Sequence, residues 1–233
     1  MDVLTDDHER AQVVRKWWSD NWKSLTLGIV IALGGMIGYN QYKSYQLDTA
    51  AKYAYEMSQL QAKVTLSPEA AKKDVDAFLA EHKDIYGSLL SLDLAAANSK
   101  AGKYELALEN AKFASENGGK LVAPNAKLVQ AHVLAQLGKS EDAIKVLESI
   151  SEKAYEVEKF ETLGDIYFAT NNLDKAHDAY QSAMTSCEQK KISINPLLQM
   201  KADNLAKEGD APAYKRAQAL QEVIAKSATE IKK

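Results

Sequence analysis

The sequence predicts an all-α protein: a single N-terminal membrane-spanning helix followed by an α-solenoid of paired helices. Three observations predict it. One uncharged run lies near the N-terminus, apolar residues recur every three to four positions from residue 46 onward, and a set of small residues returns at intervals of 36 and 33. The averages alone hide this division. Of 233 residues, 46% are hydrophobic and 26% charged, with 29 Lys and Arg against 32 Asp and Glu. A polytopic membrane protein, a disordered chain or a basic nucleic-acid binder would skew those values much further. Cys187 is the single cysteine, which excludes an intrachain disulfide framework and any multi-cysteine metal site.

The first element is the uncharged run. Between Lys23 and Lys43 stand 19 residues, Ser24 to Tyr42, without a charge. As a helix they span about 28 Å, close to the roughly 30 Å hydrocarbon core of a bilayer. Leu25, Leu27, Ile29, Val30, Ile31, Leu33 and Ile37 favour insertion by about 2 to 4 kcal/mol in all. Trp17, Trp18 and Trp22 precede the run, and Tyr39, Tyr42 and Tyr45 close it, where amphipathic rings suit the headgroup level. A buried core helix would not normally combine aromatic clusters at both ends with Gly28, Gly34, Gly35 and Gly38. A cleavable signal would need a short basic start and a small-residue cleavage site. Here five acids (Asp2, Asp6, Asp7, Glu9, Asp20) precede the run.

The predicted organisation is therefore a short cytoplasmic segment over 1–23, a transmembrane helix over 24–42 and a domain over 43–233 on the far side of the membrane, which in a bacterium is the periplasm. Arg10, Arg15, Lys16 and Lys23 before the span outnumber Lys43 and Lys52 after it, which sets the N-terminus inside. Ser24, Gly28 and Ala32 recur every four residues, as do Gly34 and Gly38. Such spacing makes a flat ridge on which another membrane helix can pack closely.

Beyond the span the apolar spacing predicts helices near 46–65, 68–82, 85–100, 103–117, 124–137, 140–151, 153–169, 172–190, 196–208 and 211–230. Pro68, Pro124, Pro196 and Pro212 each stand where a helix is expected to begin, a position proline tolerates. Ser67-Pro68-Glu69 supplies a capping hydroxyl, a first-turn proline and an early acid.

The helices come in related pairs. Leu94-Ala95, Gly102-Lys103 and Ala107 correspond to Ala131, Gly138-Lys139 and Ala143, and again to Leu163-Gly164, Asn171-Asn172 and Ala176. The anchors Ala107, Ala143 and Ala176 bracket the 34-residue period of a tetratricopeptide repeat. In the third copy Phe160, Leu163-Gly164, Tyr167, Ala176, Tyr180 and Ala183 occupy the places of that motif. Gly164 and Ala176 are expected to let paired helices approach, and Asn171 to stand in for the turn glycine because Asn tolerates the left-handed conformation. Residues 46–82 and 196–230 match no repeat and are expected to flank or cap the array.

Chemistry-bearing patterns are sparse. His8, His82, His132 and His177 lie 45 to 74 residues apart, in no metal-ligand spacing. No phosphate-cradling loop, dinucleotide fingerprint or nucleophile elbow is present, and Gly118-Gly119 reads as a helix end. The sequence predicts no catalysis, cofactor, metal, small-molecule substrate or nucleic acid. It offers instead the concave face of a solenoid, lined by the first helix of each pair. Leu128, His132 and Ala135 of the second copy and Glu161, Asp165 and Phe168 of the third are expected there. Glu161 and Asp165 would repel a carboxylate, so the groove is expected to suit basic or apolar peptide segments or a folded domain.

Trp17-Trp18 and Asp20-Asn21-Trp22-Lys23, the glycine-rich span to Gly38-Tyr39, the repeats, and Pro196-Leu197-Leu198-Gln199-Met200-Lys201 together resemble the YfgM family. Its members are ancillary subunits of the bacterial SecYEG translocon, anchored in the inner membrane with repeats in the periplasm. The resemblance covers nearly the whole chain. It implies a non-catalytic partner of SecYEG and of the periplasmic chaperone PpiD that assists exported proteins. The alternative is a membrane-anchored regulator of an envelope stress-response protein.

Overall fold

The structure, a computed structural model, describes residues 3–207 and 209–230, with side chains over 10–67, 70–207 and 209–228. The described residues hold helices and turns and no strand. They divide into two compact units, Met1–Glu56 and Met57–Lys233.

The first unit belongs to α1 (Val3–Leu66), one continuous helix. Arg10–Leu66 contains a window long and apolar enough to cross a membrane, none of it buried in protein. That exposure separates it from a core helix, whose apolar face would be covered. The sequence expects a separate helix over 46–65, whereas α1 has no break there. No Gly or Pro occurs from Tyr39 to Leu66, so nothing interrupts the backbone ladder. Asp2 and the side chains of Asp6, Asp7, His8 and Glu9 lie outside the described residues.

The second unit starts where Leu60, with Met57 and Val64 beside it, packs on Ala71, Val75 and Phe78 of α2 (Pro68–Glu81) and Leu90 of α3 (Ile85–Lys100). Ser67 makes no side-chain capping bond to α2, contrary to expectation. Asp84 does cap α3, accepting from the Tyr86 N–H at 2.9 Å and the Gly87 N–H at 3.3 Å. Three hairpins follow in order: α3 with α4 (Tyr104–Asn117), α5 (Gly119–Gln136) with α6 (Ser140–Glu148), and α7 (Glu156–Ala169) with α8 (Leu173–Lys190).

These hairpins share one turn. Gly102, Gly138 and Asn171 hold φ of 73°, 73° and 58°. The next N–H reaches back five residues each time: Lys103 to Asn98 at 2.8 Å, Lys139 to Leu134 at 2.9 Å and Asn172 to Tyr167 at 2.8 Å. This closure satisfies carbonyls that the helix end leaves open. The period anchors Ala107, Ala143 and Ala176 are all fully buried, since a larger side chain would hold the paired helices apart.

One helix start differs from expectation. α5 begins at Gly119, five residues before Pro124, and Pro124 lies buried inside it. The corner needs Gly118, where a β-carbon would meet the Ala114 carbonyl and Val122 Cβ at 2.7 Å. Two glycines thus turn the chain so sharply that α5 can start at once, and the helix absorbs the missing proline N–H.

Leu128, Ala131, Leu134, Ala143, Leu147, Ile150, Leu163, Ile166 and Ala179 bury the seam from α5 to α8. A second seam joins Tyr180, Ala183, Met184 and Cys187 of α8 to Leu198 and Ala202 of α9 (Pro196–Asn204) and to Ala213, Ala217 and Leu220 of α10 (Ala213–Glu230). These last two helices cover the apolar side that the final repeat would otherwise expose to water.

Candidate functional site

The first helices of the hairpins, α3, α5 and α7, carry the face along which repeat solenoids hold partners. On α5 the expected positions separate. Leu128 is buried with Ala131 and Leu134 in one core stripe, Ala135 is half-buried beside it, and His132 is exposed. On α7 Glu161 and Asp165 are half-buried, while Phe168 keeps 53% of its surface open. Of the positions expected to line a groove, Phe168 is the one left open to an apolar contact, and Leu128 is not.

Glu161 and Asp165 are not free acids. Lys201, one face of α9, reaches across to both: its Nζ lies 2.8 Å from Glu161 Oε1 and 2.8 Å from Asp165 Oδ1. The same Nζ stands 5.9 Å from the centre of the Tyr180 ring, and Tyr180 donates its hydroxyl to Asp165 Oδ1 at 2.8 Å. Burial opposes the Lys201 charge, but the two carboxylates outweigh it and raise its pKa. Burial, then the bond to Asp165, pushes the Tyr180 phenol well above its usual range, so it stays a donor. His132 faces this group, its Nε2 at 3.5 Å from Thr162 Oγ1. Although much of the residue is exposed, its neighbours desolvate the ring and lower its pKa more than the Asp165 charge raises it. The result is a polar row across α5, α7 and α9 in which the single Lys201 charge offsets one of the two carboxylates and leaves the row acidic by one charge. The expected acidic groove is milder than its sequence reads.

Lys201 is the residue that periodicity misses, because it belongs to a segment outside the repeat. The hydroxyl–imidazole pair of this row, Thr162 and His132, is not an activated nucleophile, because the Thr162 hydroxyl donates to the Glu158 carbonyl at 2.7 Å and stands 3.5 Å from His132 Nε2. Cys187 is buried, and burial raises its thiol pKa, the opposite of activation. Two open pockets, of about 330 and 370 Å³, each hold a single acid, Glu156 and Asp93 respectively, among amides, hydroxyls and apolar residues. Neither offers a pair of titratable groups for acid–base work, and a third, of about 250 Å³, brings Asp76 and Glu109 near Lys72 and Lys103 but holds Asp76 in an exposed ion pair with Lys72 at 2.8 Å. Among the described residues no group of three or more His, Cys, Asp or Glu is placed to hold a metal ion.

In the span, Ser24, Gly28, Ala32, Gly34 and Gly38 are all exposed. A β-carbon at any of the three glycines would meet nothing within 4 Å, so the chain itself gives them no packing role.

Comparison with known proteins agrees with this architecture. The chain is 27% identical over 207 residues to a protein of Aggregatibacter actinomycetemcomitans named ancillary SecYEG translocon subunit, covering 88% of this chain and all of that one. An Escherichia coli protein of the same name is 26% identical over 216 residues, with 88% and 100% covered. A third, from Haemophilus influenzae, is 22% identical over 202 residues, with 86% and 98% covered. This is a protein-interaction family, not an enzyme family. Residues 15–207 match the model of the tetratricopeptide repeat-like domain, and with the shared turns, buried alanines and paired helices in place, the chain belongs to that family.

Proposed function

We propose that this protein is a non-catalytic, membrane-anchored ancillary subunit of a SecYEG translocon, holding protein partners near the export channel. The observation that carries the reading is the combination of one apolar span with a repeat domain, matched over 88% of the chain to relatives of that name. The span fits a single-pass protein of the inner membrane. The four bases before it favour a cytoplasmic N-terminus and a periplasmic repeat domain. The small-residue ridge suits close approach to a channel helix. On the repeat face, the open Phe168 and the partly neutralised row around Lys201 suit apolar or mildly basic peptide segments, from exported proteins or from the chaperone PpiD.

Affinity capture of the full-length protein from membranes in mild detergent tests the reading. Enrichment of SecY, SecE and SecG is expected, with loss when 24–42 is exchanged for an unrelated span. Capture without any channel subunit would overturn it. A photo-crosslinker at Phe168 should give adducts with periplasmic proteins, and cytoplasmic adducts would reverse the orientation.

A further inference from the structure

Residues 10–25 of α1 carry an apolar face that begins well before the span. At about 100° per residue, Val14, Trp17, Trp18, Trp22 and Leu25 fall within an arc of roughly 140°. All five are exposed. Arg10 and Asn21 also lie inside the arc, the Asn21 amide donating to the Trp17 carbonyl at 2.8 Å, and Val13 falls outside it. Lys16, Ser19, Asp20 and Lys23 occupy the far side, with Arg15 at the edge. From Arg10 to Lys23 four bases accompany one acid, Asp20, while Asp2, Asp6, Asp7 and Glu9 before them bring residues 1–23 to four bases against five acids.

Length shows that an upright helix leaves most of this face uncovered. At 1.5 Å per residue, Trp22 stands about 3 Å beyond Ser24, Trp18 and Trp17 about 9 to 10 Å, and Val14 about 15 Å. The headgroup layer is only about 5 to 8 Å deep on each side. Trp22 is sheltered there, whereas Trp17, Trp18 and Val14 would stand in water. The same bilayer covers them if the stretch before Trp22 lies down on its surface. Two carbonyls near that point have a second donor. Asn21 Nδ2 bonds the Trp17 carbonyl, and Thr26 Oγ1 bonds the Trp22 carbonyl at 2.7 Å, so loosened backbone bonds leave both satisfied.

We propose that residues 10–22 form an interfacial anchor for an anionic phospholipid surface, with Val14, Trp17 and Trp18 at the headgroup boundary and Arg15 and Lys16 drawn to lipid charge. Two features favour lipid over a protein partner. The face runs directly into a segment that sits in hydrocarbon, and the bases flanking it, Arg15 and Lys16, stand beside it while four of the five acids are confined to residues 2–9.

All three tryptophans of the protein lie in this stretch, so indole emission of the full chain reports on it alone. The test uses the full-length Trp22→Phe protein reconstituted in phosphatidylcholine vesicles, with or without phosphatidylglycerol. Emission from Trp17 and Trp18 is expected to be quenched by brominated lipids and shielded severalfold from acrylamide, more so with phosphatidylglycerol. Free access of acrylamide with no lipid quenching in either vesicle would overturn the proposal. Protection that arises only when SecYEG is co-reconstituted would assign the face to a protein and overturn it equally. In R15Q/K16Q the difference between the two vesicle types should vanish, and its persistence would refute the charge pairing.

Discussion

Gly164 of α7 lies directly beneath the ring of Tyr180 on α8: a β-carbon there would sit 2.4 Å from Cε1 and 2.5 Å from Cδ1. The glycine sets the depth of the ring, and so the reach of the Tyr180 hydroxyl to Asp165. Gly164→Ala must displace a rigid ring in a close-packed seam, at a cost of about 1 to 3 kcal/mol. A lowered unfolding midpoint is expected. Tyr180→Leu removes the obstacle, so the double variant should lose clearly less than the two single losses together. Simple additivity would show that the contact is not the cause.

The shared turns predict a different glycine effect. At Gly102 and Gly138 a β-carbon meets nothing within 4 Å, so only the left-handed φ opposes a side chain. Gly138→Ala should cost about 1 to 2 kcal/mol. Asn171 already tolerates the same conformation, so Asn171→Gly should be neutral or slightly stabilising and Asn171→Ala destabilising. Chemical unfolding of the three variants, compared by midpoint, checks the ranking.

These turns were among the most legible parts of the chain, because a repeat writes the same local solution at each copy. The buried Ala107, Ala143 and Ala176 were legible for the same reason. Pro124 misled, since proline usually opens a helix, while Gly118 and Gly119 turn the backbone five residues earlier. Leu128 misled because a face inferred from the repeat frame cannot separate positions one helical step apart, and 128, 131 and 134 form the core stripe. Lys201 was not readable as the partner of Glu161 and Asp165. Its place depends on Leu198 and Ala202 docking against Met184 and Cys187, a tertiary event outside the repeat period.

His177 predicts a pH dependence. Its Nε2 lies 2.8 Å from Asp210 and its Nδ1 2.9 Å from Asp178, and only the imidazolium can donate to both. Burial alone would lower its pKa, but the two carboxylates outweigh burial and the nearby Lys207 and raise it. A raised folded pKa contributes stability that is complete below the unfolded value, near 6.5, and is lost as pH rises through the folded one. Asp210, held low first by the Lys207 N–H and then by His177, contributes in the opposite direction: its share is lost as pH falls through its folded pKa. Unfolding midpoints should therefore decline from mildly acidic to alkaline pH, and His177→Gln should flatten that decline. An unchanged slope in the variant would remove His177 as its source.

Lys201 joins stability to the charge of the proposed binding face. Replacing it with Met leaves Glu161 and Asp165 half-buried without their shared cation, and losing charge-assisted bonds of this kind costs about 1.5 to 3 kcal/mol. The unfolding midpoint should fall accordingly, and adding Glu161→Gln and Asp165→Asn should recover part of it by removing the unpaired charge. The same change alters recognition. Without Lys201 the row beside His132 and Phe168 carries two uncompensated carboxylates, so a lysine-rich peptide should bind Lys201→Met severalfold more tightly than the parent, and less so in high salt. Fluorescence anisotropy at two ionic strengths measures this directly. Equal affinity in both proteins would mean that α9 does not govern the charge of this face.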